Sequence, residues 1–254
     1  MHVLRVEGLT AGYGKAPIVD GISFHASVSQ VVTLIGPNGA GKSTALKATF
    51  GLIPRMAGKV YLDETDITDL SAHHAARAGM AYVPQVDNVF ASMSVEENLE
   101  LGGFVERGSL DARKELVFEI FPALALARKR KAGLLSGGQR NMLGMGRALM
   151  SNPKVVLLDE PTAGLSPANV DVVWSQIAQV AALGTTVVVV EQNVERALAS
   201  ADWVYILVAG RNLRDGAPAE LAKLDMAAIF LGQSGGAEEA AVASSWDRDS
   251  QDHE

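Results

Sequence analysis

The residues GPNGAGKST, Gly36 to Thr44, stand between VSQVVTLI, Val28 to Ile35, and ALKATF, Ala45 to Phe50. The first flank reads as a strand and the second as a helix stopped by Gly51 and Pro54. Gly36 to Ser43 fits G-x-x-x-x-G-K-[ST] in the strand–loop–helix setting where the pattern has mechanical meaning. Glycines let the backbone curl so that amide N–H groups converge on an anion. The helix that follows adds the positive end of its dipole. The candidate phosphate-binding set is Gly36, Pro37, Asn38, Gly39, Ala40, Gly41, Lys42, Ser43 and Thr44. Lys42 is placed to reach β- and γ-phosphates, and the Ser43 hydroxyl to ligate Mg²⁺. The stretch predicts a nucleoside triphosphate site and leaves open what hydrolysis drives.

VVLLDE, Val155 to Glu160, supplies a second half. An apolar strand delivers Asp159 and Glu160 at its carboxyl end, where ligands of open α/β sheets gather. Asp159 is the candidate metal carboxylate, and Glu160 the candidate general base for an attacking water.

Around these motifs the chain alternates strand and helix. Val3–Leu9, Val60–Leu62, Met80–Val83, Val155–Leu158, Thr185–Val190 and Trp203–Val208 read as strands. Ser71–Ala78, Asn169–Leu183 and Val194–Ser200 read as helices. Such alternation predicts a largely parallel, buried sheet. From Met93 to Met150 the pattern is helical throughout, with Glu96–Leu101, Asp111–Leu124 and Gln139–Met150 as helices. This segment is an expected lobe inserted into an α/β core. Residues 1–231 are the expected folded unit. Residues 232–254, GQSGGAEEAAVASSWDRDSQDHE, have the small and acidic composition of a disordered tail.

Of the 254 residues 48% are hydrophobic, enough to bury a sizeable core. No run reaches the roughly 18 apolar residues of a membrane-spanning helix. MHVLRVEGLT lacks the basic head and apolar core of a secretory leader, so none is expected there. The absence of cysteine excludes disulfides and thiolate metal sites. A net charge of −7 argues against nucleic acid as a partner. Composition alone suggests a soluble cytoplasmic protein.

LLSGGQRNMLGMGRALM, Leu134 to Met150, narrows the class. Ser136, Gly137, Gly138 and Gln139 open a helix with bare amides, a second anion cradle in a chain with one phosphate loop. Head-to-tail pairing, with this segment closing over a partner's nucleotide, is the economical arrangement. LSGGQ between GPNGAGKS and VVLLDEP resembles the ATP-binding cassette (ABC) ATPases, over Val3 to Leu231. The resemblance implies an α/β P-loop fold of ABC type, with a mostly parallel core sheet, an antiparallel β subdomain and the inserted helical lobe. It implies ATP and Mg²⁺ as cofactors and Tyr13 as the aromatic stacked on adenine. It makes Gln85, in YVPQ, a contact of Mg²⁺ and the attacking water.

TTVVVVEQN, Thr185 to Asn193, departs from the family pattern, in which a histidine contacts the γ-phosphate where Gln192 stands. A glutamine donates a hydrogen bond but carries no charge and shuttles no proton. Ser166 in AGLSP also stands where an acid is common. With DITDL, SMSVEENL and GRALMSNP, these departures resemble the ATPase subunits of branched-chain amino-acid importers. Expected partners are therefore a second, non-identical ATPase subunit, two membrane permease subunits and, indirectly, an extracytoplasmic substrate-binding protein. The expected place is the cytoplasmic face of the membrane, with docking near Gln85 and Ser92–Phe104. Urea or short-amide importers and lipid or lipopolysaccharide exporters are the alternatives. A soluble ABC ATPase of DNA repair or translation is disfavoured, since no coiled-coil insertion or second cassette is present.

Overall fold

A computed structural model describes residues 2–105 and 109–230. The expected acidic tail, 232–254, lies outside the described residues. In chain order the elements begin with β1 (His2–Ala11), β2 (Val19–Ser27), β3 (Val31–Ile35), α1 (Lys42–Phe50), β4 (Arg55–Leu62) and β5 (Thr65–Asp66). They continue with α2 (Ala72–Ala78), β6 (Met80–Val83), α3 (Val95–Gly102), α4 (Leu110–Ile120), α5 (Pro122–Ala125) and α6 (Gly137–Leu149). Next come β7 (Val155–Asp159), α7 (Pro167–Ala182), β8 (Thr186–Glu191) and α8 (Val194–Ser200). The last are β9 (Trp203–Val208), β10 (Arg211–Gly216), α9 (Pro218–Leu221) and α10 (Met226–Phe230).

Two sheets result. Six strands in the order β10-β9-β3-β8-β7-β6 form the main sheet, parallel except for the edge strand β10. Every residue of β3, β7 and β8 is buried, as expected of strands covered on both faces. Four antiparallel strands, β2-β1-β4-β5, form the smaller sheet. One core packs this small sheet and α1 against one face of the main sheet, through Leu4, Phe24, Leu46, Leu157 and Val188. A second core packs α3–α7 on the opposite face, through Leu99, Leu143, Trp174, Val156 and Val189.

Among the described residues of 93–150, the helices expected at 96–101 and 139–150 form as α3 and α6. Gly146 of α6 faces Val117 and Leu99, whose side chains a Cβ there would crowd, so its lack of a side chain sets the close approach of α6 to α3 and α4. Pro122 divides the expected helix 111–124 into α4 and α5, with Phe121 non-helical at the joint.

Three strands go beyond the sequence expectations, among them the two-residue β5 that pairs with β4. In β2 the apolar spacing slips from two to three between Val19 and Ile22, because a bulge at Gly21 (φ 72°) adds a residue opposite β1. Val28, expected in a strand, lies instead in the turn before β3 and is exposed. The polar strand RNLRDG becomes β10 as a sheet edge, joined to β9 by Ala209 and Gly210, both at positive φ.

Parallel register aligns the strand ends that matter. Ile35 of β3 lies opposite Glu191 of β8, and Asp159 of β7 opposite Val190. Gly36, Asp159, Glu160 and Gln192 therefore emerge along one edge of the main sheet.

Candidate nucleotide site

The loop after β3 is held where side chains would not fit. A Cβ on Gly36 would overlap the Leu207 carbonyl, and Gly39 and Gly41 have φ of 81° and 90°. Gly41 caps α1 without a side chain, so no side-chain acceptor competes for the first amides of the helix. Asn38 and Gly39 are exposed, whereas Ala40, Gly41, Lys42 and Thr44 are buried. The Lys42 ammonium folds back on the loop, donating to the carbonyls of Gly36 (2.8 Å) and Pro37 (3.1 Å). Burial lowers its pKa, while Glu160, Asp159 and Glu191 oppose that shift. An incoming phosphate would exchange those two carbonyls for a stronger, charged acceptor.

Beside it, the two acids divide their work. Asp159 accepts from the Ser43 hydroxyl at 2.6 Å and from the Tyr82 phenol at 2.8 Å. Burial, and then the Asp159 charge, push the Tyr82 pKa far up, so this phenol stays a donor. Glu160 has a φ of 47°, unusual for a side-chain-bearing residue, and its N–H reaches the Val190 carbonyl at 3.0 Å. Its carboxylate is clamped between two amides. Gln85 Nε2 donates to one oxygen at 2.8 Å, and Gln192 Nε2 to the other at 2.6 Å. An uncharged amide at the end of β8 thus has a specific partner, the carboxylate proposed from sequence as the base.

Ser136 begins α6 in a reciprocal cap: its Oγ accepts from Gln139 N–H at 3.3 Å, and Gln139 Oε1 accepts from Ser136 N–H at 3.1 Å. The N–H groups of Gly137 and Gly138 lie between these two. Gly137 and Gly138 approach Leu165 and Asn169 at the entry to α7. Ser136 and Gly137 face solvent on the chain that carries them. Tyr13, on the β1–β2 connection, is 61% exposed, so its ring is an available face and not a core tyrosine.

Residues 19–163 match the family model described as ABC transporter. The chain belongs to the ABC transporter ATPases. It is similar to the "Probable branched-chain amino acid transport ATP-binding protein LivF" of Archaeoglobus fulgidus, at 42% identity covering 86% of this chain and 94% of that one. It is also similar to the lipopolysaccharide export system ATP-binding protein LptB of Escherichia coli K12, at 33% identity covering 92% and 98%. Among solved structures, the ADP conformation of an ATP-binding cassette of an ABC transporter matches with a TM-score of 0.83 and 28% identity. That match covers 91% of this chain and 99% of the other.

In this ABC ATPase several site residues escape sequence reasoning. Tyr82 is one; its register beside Leu157 puts it on the same sheet face as Asp159, a signal that needs the strand pairing. Asn141 is another, linking the Asn88 amide (3.0 Å) to the Pro161 carbonyl (2.8 Å) and so tying the helical lobe to the loop after Glu160. Thr162 and Glu191 complete the set, with a hydroxyl–carboxylate contact of 2.6 Å. Among the described residues no helix is long and apolar enough to cross a membrane.

Proposed function

We propose that this ABC ATPase powers uptake of branched-chain amino acids through separate membrane permease subunits, working at the cytoplasmic face of the membrane. The observation that carries the hydrolytic part is the Glu160 carboxylate held between the Gln85 and Gln192 amides. The 42% identity to the LivF protein supports the cargo.

Phosphates bind the loop Gly36–Thr44 and the Lys42 ammonium, and the Tyr13 ring stacks on adenine. Ser43 and Asp159 offer adjacent hard oxygens, with Gln85 nearby, and no group of three or more His, Cys, Asp or Glu gathers among the described residues. Such a sparse donor set suits Mg²⁺, which keeps waters and shares phosphate oxygens. When bound, that ion neutralises charge building on the phosphates. Glu160 takes the proton of the attacking water, and Gln85 and Gln192 hold its carboxylate in line. Ser136–Gln139 close over the nucleotide of a second, non-identical ATPase subunit. The permeases dock beside Gln85 and Ser92–Phe104, where Val86, Phe90, Leu101 and Phe104 expose apolar surface and the Arg147 guanidinium lies over the Phe90 ring. A substrate-binding protein outside the membrane would deliver the cargo to those permeases. The proposed ATPase unit is 1–231, with the helical lobe at about 93–150 and 232–254 as a separate tail.

Uptake of radiolabelled leucine, valine and urea in a deletion strain, with and without the restored chain, tests the cargo. Loss of leucine and valine uptake alone is expected. Selective loss of urea uptake, or intact uptake with an outer-membrane lipid defect, would replace the amino-acid assignment.

A further inference from the structure

Glu191 closes a strand after four consecutive valines, Val187 to Val190, with a carboxylate that is only 3% exposed. A valine there would pack without the solvation cost of a buried charge. Instead both carboxylate oxygens are used. One accepts from the Thr162 hydroxyl (2.6 Å) and the Thr162 N–H (3.3 Å), and the other from the Gln192 N–H (3.2 Å). Burial raises the carboxyl pKa, while the bonds from Thr162 and Gln192 pull it back.

These contacts flank the general base on both sides. Thr162 lies two residues after Glu160, and Gln192 donates directly to the Glu160 carboxylate. The Glu160 N–H to Val190 carbonyl bond adds a third tie between segments 160–162 and 190–192. From the other direction Asn141 of α6 grips the Pro161 carbonyl. Beyond Thr162 the chain enters the exposed turn Ala163–Gly164 that leads to α7.

We propose that Glu191 is a positioning residue that fastens the loop carrying Glu160 to the strand end carrying Gln192, so that base and amide donor move as one body. Displacement of the loop 161–166, whether from the lobe or from a partner at the exposed turn, then reaches both together. This inference rests on reading Glu160 as the base for ATP hydrolysis.

Steady-state hydrolysis of Mg·ATP by the full-length chain in complex with its partner ATPase and permease subunits tests it. Glu191→Gln keeps the shape and an acceptor for Thr162 but turns an NH₂ toward the Gln192 N–H. Thr162→Val removes the other arm, and Thr162→Ser restores its hydroxyl. Glu191→Gln and Thr162→Val should each lower kcat about tenfold, the order found for residues that orient a reacting group, with KM for ATP within about twofold. Thr162→Ser should recover the rate, and the double variant should be no slower than the slower single one. Wild-type kcat in both single variants, with Glu160→Gln inactive, would overturn the positioning role and leave the ATPase reading intact. A parallel fall in kcat and melting temperature with a raised KM, and no recovery by Thr162→Ser, would reduce it to a packing role. If Glu191→Gln does not fold, the Thr162→Val and Thr162→Ser pair decides alone. A Glu160→Gln chain that hydrolyses at the wild-type rate would remove the base reading and this proposal with it.

Discussion

At Gln192 the chain chooses an amide where protonation would otherwise be available, and the geometry makes the consequence specific. The amide donates at 2.6 Å to a carboxylate that also receives Gln85. Gln192→Glu would place a second carboxylate against Glu160, so hydrolysis should fall at least about a hundredfold, as when a general base is lost. Gln192→His keeps a donor and adds a titratable ring, so hydrolysis should rise if the glutamine marks an attenuated site; an unchanged rate would count against that role. Glu160→Gln should retain ATP binding and lose about 10²–10⁴ in rate, read by nucleotide titration beside phosphate release. The motif residues were legible because their chemistry depends on neighbours in sequence. Glu191 and Asn141 were not, since their partners Thr162 and Pro161 lie 29 and 20 positions away.

At the level of elements, legibility followed periodicity. The fully buried strands β3, β7 and β8 declare themselves by apolar runs, whereas β2 hides behind a bulge and β10 behind edge-strand polarity. Helix α3 carries a complete capping box, in which Ser94 Oγ accepts from Glu97 N–H and Glu97 reaches back to Ser94 N–H at 2.7 Å. Ser94→Ala should therefore cost about 1 kcal/mol of stability in urea unfolding. In the β9–β10 hairpin, Asp215 accepts from Trp203 Nε1 at 3.1 Å, and burial raises its carboxyl above the ordinary value of 3.8. The folded chain then binds this proton more tightly than the unfolded chain does. Its contribution to stability falls as pH rises from 3.8 through the raised folded value, and stays lowered above it. Asp215→Asn, which keeps an acceptor for Trp203, should raise the melting temperature at neutral pH and lose that advantage below the window. An advantage that persists unchanged in acid would show that charge burial is not its origin.

For the whole molecule, motif order in the sequence foretold the class but not the strand order β10-β9-β3-β8-β7-β6, which depends on long crossovers. The finished chain presents two anion-seeking helix starts, the loop at Lys42 and the exposed Ser136–Gly137 entry to α6. If, as proposed, the second start closes over another subunit's nucleotide, a closed site requires association. Glu160→Gln, expected to hold ATP without consuming it, isolates that step, and its solution mass with and without Mg·ATP reads the outcome. Pairing with a non-identical subunit predicts that the 26.7 kDa chain stays monomeric at micromolar concentration and shifts only when the partner ATPase is added. A stable ATP-dependent homodimer would mean that two copies complete each other's sites. Gln192 would then face nucleotide in both halves, and its lack of a titratable ring would be a property of the whole motor instead of one side of an asymmetric pair.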